Sequence, residues 1–91
     1  MARVRTVTLT AATVSTQTFT GFNASMARVV NMDGTAEVYF TVDGTTPTVG
    51  GDNCIALPAA IGSVEVKEEI SGDAVVKLIS AGTPKVSVRV W

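Results

Sequence analysis

The chain has 91 residues, 46% of them hydrophobic but only 5% aromatic, and its seven Lys and Arg against eight Asp and Glu leave a net charge of −1. A chain of this size is one domain with a thin core, burying roughly 60–65% of the surface that its unfolded form exposes. Without a block of basic residues no nucleic-acid partner is expected, and with no apolar run of membrane-spanning length no membrane partner is expected.

The single cysteine, Cys54, excludes an intrachain disulfide and a thiolate metal cluster. The absence of histidine excludes Ser-His-Asp and Cys-His catalytic sets. The start, Met1-Ala2-Arg3-Val4-Arg5-Thr6, is basic but carries no apolar stretch of signal length, so a non-exported chain is expected.

Hydrophobicity alternates with period two almost throughout, the pattern of half-buried strands. The first strand is predicted over residues 3–10, with Val7 and Leu9 on one face and Val4, Thr6 and Thr8 on the other. A threonine-rich second strand covers 13–20 and carries Phe19; the stretch Gly21-Phe22-Asn23-Ala24-Ser25 then breaks the pattern. Residues 26–32 form a third, and Asn31-Met32-Asp33-Gly34-Thr35 supplies hairpin turn chemistry, because Asp-Gly tolerates positive φ.

The fourth strand is the best patterned: Ala36, Val38, Phe40 and Val42 face one way, Glu37, Tyr39 and Thr41 the other. A long loop follows over residues 44–53, where Pro47 removes an amide donor and restricts Thr46 to extended conformations. Further strands are predicted over 54–57, 63–67, 74–80 and 85–91, with turns at Pro58, at Ser71-Gly72-Asp73 and at Ala81-Gly82-Thr83-Pro84. Short strands with turn signals about every ten residues predict an all-β, immunoglobulin-like sandwich of seven or eight antiparallel strands in one domain spanning residues 1–91. Its expected core is Val7, Leu9, Val29, Val38, Phe40, Val42, Ile55, Leu57, Val64, Val66, Val76, Leu78, Val86, Val88 and Val90.

Few residues offer chemistry. Cys54 heads a short apolar strand with no base or cation beside it, so it reads as a packed thiol rather than a nucleophile. Asp43, Asp52 and Asn53 offer hard oxygen ligands at the two ends of the long loop, but their spacing matches no calcium loop. Turn-forming side chains bonded to their own backbone explain them better, so neither metal nor cofactor is expected. Glu65, Glu68 and Glu69 read as a solvated edge and turn. Asn23-Ala24-Ser25 fits a glycosylation pattern that carries no weight without a signal peptide.

Tyr39 and Trp91 are the aromatics expected nearest the surface, Tyr39 for packing and Trp91 for packing or an interface. Arg3, Arg5, Arg28, Lys85 and Arg89 are expected on neighbouring strands as a basic strip.

The segment Val38-Tyr39-Phe40-Thr41-Val42-Asp43-Gly44-Thr45-Thr46-Pro47-Thr48 resembles the motif of the immunoglobulin-like domains at the C-termini of chitobiases and related bacterial surface enzymes. That resemblance implies a carbohydrate-binding or adhesion module. Over most of its length, from Val7-Thr8-Leu9-Thr10 to Val75-Val76-Lys77-Leu78-Ile79-Ser80-Ala81-Gly82-Thr83-Pro84, the chain also resembles small structural proteins of tailed bacteriophages of actinobacteria.

The phage resemblance implies a non-enzymatic virion protein, made in the host cytoplasm and placed on the capsid exterior. Its implied partners are the major capsid protein and further copies of itself; a tail or head–tail joining position is the alternative. The expected interface residues are Thr45, Thr46, Pro47, Thr48, Asp52 and Asn53 of the long loop, together with Trp91.

Overall fold

The computed structural model describes residues 3–21, 24–67 and 72–91. Phe22 and Asn23 of the predicted break, Glu68 and Glu69 of the acidic group, and Ser71 of the predicted turn lie outside the described residues. The described residues form eight strands and no helix: β1 (Arg3–Thr8), β2 (Ser15–Phe19), β3 (Met26–Asn31), β4 (Val38–Thr41), β5 (Ile55–Leu57), β6 (Gly62–Lys67), β7 (Ala74–Ile79) and β8 (Lys85–Val90). Each lies within the span its alternation predicts, give or take a residue.

The strands make two four-stranded antiparallel sheets, ordered β1-β8-β3-β6 and β2-β7-β4-β5. The expected all-β sandwich forms, and the strand order adds what alternation does not encode. β4 and β5 pair as consecutive strands of one sheet, while every other link carries the chain from one sheet to the other. This is jelly-roll connectivity; in the immunoglobulin order A–B, D–E and F–G stay within a sheet.

The two inner faces meet in a core of Leu9, Phe19, Val29, Val38, Phe40, Leu57, Val76, Leu78, Val86, Val88 and Val90, each at most 1% exposed. Val7, Ile55, Val64 and Val66 pack against it from the edge strands. Phe19, Ala24, Ala27 and Ala74 join the core although the sequence pattern did not single them out. Phe19 ends a strand of threonines, and the alanines have too little apolar bulk to stand out from alternation alone.

One expectation is corrected. Asn31 to Thr35 does not close a hairpin, because β3 and β4 lie in different sheets. The turn residues bond across corners instead. Asn31 is fully buried on the inner face; its amide nitrogen donates to the carbonyls of Ala36 at 2.9 Å and Pro58 at 3.1 Å, and its oxygen accepts from the Gly34 amide at 3.1 Å. The Asp33 carboxylate accepts from the Lys85 amide and from the amide and hydroxyl of Thr35. Those bonds, the one from Lys85 first, hold its pKa below the usual aspartate value.

Ser80, also fully buried, donates from its hydroxyl to the Glu37 carbonyl at 2.6 Å, and its own carbonyl accepts from the Ala12 amide at 2.7 Å. The Leu9 amide donates to the Pro84 carbonyl at 2.9 Å. Thus the β1–β2, β3–β4, β5–β6 and β7–β8 corners, which antiparallel alternation brings to one end of the sandwich, are tied to one another. Gly34 adopts φ +66°, and a Cβ there would come within 2.9 Å of the Ala60 backbone, so only glycine lets these corners approach.

Asn31→Ala is expected to take from the Ala36 carbonyl and the Gly34 amide their side-chain partner, while the Pro58 carbonyl keeps the Ala60 amide, destabilising the fold by about 1–3 kcal/mol in urea unfolding with the m-value unchanged. Gly34→Ala should cost at least about 1 kcal/mol. Losses under about 0.5 kcal/mol in both would mean that the corner is not held this way.

Candidate functional site

The long loop between β4 and β5 is pinned from within. Thr41 points outward by register, yet only 4% of it is exposed, because its hydroxyl donates to the Thr45 carbonyl at 2.5 Å and draws the loop onto the outer face of the second sheet. Asp43 accepts from the Thr45 amide at 3.1 Å and the Thr45 hydroxyl at 2.6 Å, which is the expected turn-forming role. Gly44 follows at φ +86°.

Pro47 is buried, so it anchors the loop while Thr45, Thr46, Thr48, Asp52 and Asn53 stand exposed around it. Residues 48–51 close a turn of type II character, with the Gly51 amide donating to the Thr48 carbonyl at 3.0 Å and Gly50 at φ +67°. The half-buried Cys54 thiol points at the carbonyls of Gly51, 3.3 Å away, and Thr48, 3.6 Å away. A thiol so placed is a weak donor closing a turn. Asn53 takes φ 61°, which asparagine tolerates better than most residues.

Trp91 sits at the same end of the sandwich as this loop, because β4 and β8 both run away from the tied corners. Its amide donates to the Met26 carbonyl at 3.1 Å, and its carbonyl accepts from Ser25 and Met26. The half-buried ring lies under two guanidinium groups, Arg89 at 4.5 Å and Arg28 at 5.4 Å from its centroid. Arg28 also forms an ion pair with Glu65 across the β3–β6 ladder, its Nε 2.8 Å from Glu65 Oε1.

The predicted basic strip divides. β1 pairs with β8 so that Arg3 stands opposite Val90 and Arg5 opposite Val88, which turns both arginines to the inner side of the sheet. Arg3 donates to the Thr20 carbonyl at 3.0 Å, and the Arg5 guanidinium lies 4.6 Å from the Phe19 ring centroid. Inward charges on an edge strand discourage pairing with another chain. Arg28, Lys85 and Arg89 remain on the outer face of the first sheet. Arg28 and Arg89 were legible as outward by alternation; that they stand side by side over the Trp91 ring depends on a β3–β8 register set only in the folded sheet.

Tyr39 lies on the outer face of the second sheet, aligned with Ile79 and Ala56, and donates to Glu37 Oε2 at 3.1 Å. Tyr39 and Trp91 thus occupy opposite outer faces and do not form one platform for a sugar. Among the described residues no three His, Cys, Asp or Glu side chains gather as metal ligands, and no helix is long and apolar enough to cross a membrane.

No family model matches the sequence, and no curated protein matches it. Solved structures share the fold. A de novo designed double-stranded β-helix superposes with a TM-score of 0.57 at 15% identity, covering 97% of this chain and 95% of that one. The cupin domain of an XRE family transcriptional regulator from Enterobacter cloacae gives 0.56 at 12% identity, over 98% and 79% of the two chains. A periplasmic inhibitor of g-type lysozyme from Aeromonas hydrophila gives 0.57 at 13% identity, over 98% and 84%. At such identities the likeness is one of fold.

Asp43 is held below the usual aspartate pKa, first by the Thr45 hydroxyl and then by the Thr45 amide. Its contribution to stability is therefore present above the ordinary aspartate value of 3.8 and lost as pH falls through the lower folded value. Thr45→Val should move the Asp43 titration midpoint, read by carboxyl-carbon NMR, part of the way back up; an unmoved midpoint would show that the hydroxyl does not hold it.

Proposed function

We propose that the chain is a non-enzymatic structural protein of a bacteriophage virion, decorating and stabilising the capsid by docking on the major capsid protein as a homo-oligomer. The observation that carries this reading is the resemblance to small phage structural proteins over most of the chain, from Val7-Thr8-Leu9-Thr10 to the stretch Val75 to Pro84, with the segment Tyr39 to Gly44 between them. In the fold that segment, with the residues beside it, makes core and turn: Val38, Phe40 and Val42 are buried, and Asp43 and Thr45 close the exit of the strand. A jelly roll is also an architecture that capsid and lectin domains use.

The non-enzymatic part rests on the residues. There is no histidine, the cysteine thiol closes a turn, and the carboxylates of Asp33, Asp43 and Glu65 are each engaged by backbone or arginine partners. Docking through loops and outer faces needs no single strong contact, since modest contacts repeated on a symmetric lattice give avidity.

Capsids assembled without the protein should bind it saturably, at a copy number set by the lattice, and should resist heating better when bound. Absence of binding to any particle surface in sedimentation would end the reading. Immunogold labelling confined to the tail or the neck would move the protein to the joining position instead.

A further inference from the structure

Along the first sheet, β1, β8, β3 and β6 lie in register, and one outward row reads Val4, Arg89, Arg28, Glu65. Arg89 and Arg28 stand directly opposite each other. Like charges in such a pair repel, and here Glu65 and the Trp91 ring offset the repulsion. The offset is incomplete: among the described residues Arg89 contacts the ring and no carboxylate. Lys85, at one end of the face, and Lys67, at the other, likewise have no carboxylate partner among the described residues.

Among the described residues the outer face therefore carries four cations, Arg28, Arg89, Lys67 and Lys85, against Glu65, on a chain whose net charge is −1. In the same outward row it exposes an apolar side chain, Val4, 57% accessible.

We infer that the outer face of the β1-β8-β3-β6 sheet is a docking surface for an acidic protein surface, with Arg89 as the group that takes a carboxylate and Trp91 as the apolar anchor beside it. The inference follows from charge complementarity. A guanidinium stacked on a ring is oriented while its N–H donors remain open, and carboxylate is the group its fork matches in two parallel bonds. Trp and Arg are also the side chains that most often carry interface energy.

Four strands ~4.8 Å apart and six residues long give a face of roughly 20 by 15–20 Å. That is well under the ~800 Å² per partner of a standard stable interface, so one copy binds weakly and repetition is needed for firm attachment. This deepens the virion reading, which supplies the repetition, but the face itself can be tested without it.

The probe is an immobilised random copolymer of glutamate and tyrosine, with duplex DNA and polylysine as parallel surfaces, read by biolayer interferometry at low salt. The wild-type chain is expected to bind the acidic copolymer, with affinity falling as salt rises. Arg89→Glu should weaken that binding by roughly tenfold or more, the equivalent of about 1.4 kcal/mol. Lys77→Glu makes the same change in net charge on the other sheet and should leave binding within about twofold, because single surface charges act locally at this range. Arg89→Gln and Trp91→Ala, checked for unaltered thermal midpoints, give the same ordering if Arg89→Glu does not fold.

Equal loss in Arg89→Glu and Lys77→Glu, or binding to DNA as tight as to the acidic copolymer, overturns the inference. If the copolymer results hold while capsids fail to bind, the virion reading falls and the acidic docking face stands.

Discussion

The arrangement depends first on the buried side-chain amide of Asn31. Apolar burial drives the sheets together but has no direction, and many pairings of eight similar strands would bury comparable area. Asn31 favours the observed one, because its corner contacts give both amide hydrogens and the oxygen their partners at once. A buried amide lacking those partners is costly. Ser80 and Asp33 extend the same logic to the link that leaves β7 and enters β8, so one end of the molecule is defined by polar groups and the middle by valine, leucine and phenylalanine.

This division explains what the sequence made legible. Strand positions and inward faces follow from alternation, which is local, and the expected core residues all lie in the core or against it. Which strands become neighbours is not local. The Asp-Gly turn after β3 has the chemistry of a hairpin, but Asn31 and Asp33 use their side chains across corners, and the chain passes to the other sheet. A hydrophilic residue at an inward position, Asn31 after Ala27 and Val29, was the available signal that a corner stood there.

The candidate site shows the same split. Asp43 closes the strand as the sequence suggested, while Pro47, named among the interface residues of the loop, is buried with exposed polar residues around it. Arg3 and Arg5, by contrast, were expected in a basic strip but turn inward with Val7 and Leu9, the face that the alternation of β1 itself gives them and that the β1–β8 register fixes. The cluster of Arg28, Arg89, Glu65 and Trp91 is built from three strands distant in sequence. Its chemistry exists only once the register is set.

The pairing of β1 with β8 also has a kinetic meaning. β1 finds its ladder partner only after β8 has been made, and among the described strands β4 with β5 is the one pair that consecutive segments can form early. Such non-local pairing belongs to the slow class of small domains, which fold in milliseconds to seconds. During synthesis β1 must wait with an open edge, and its two arginines, set among the inward positions, keep that waiting strand from adding to another chain.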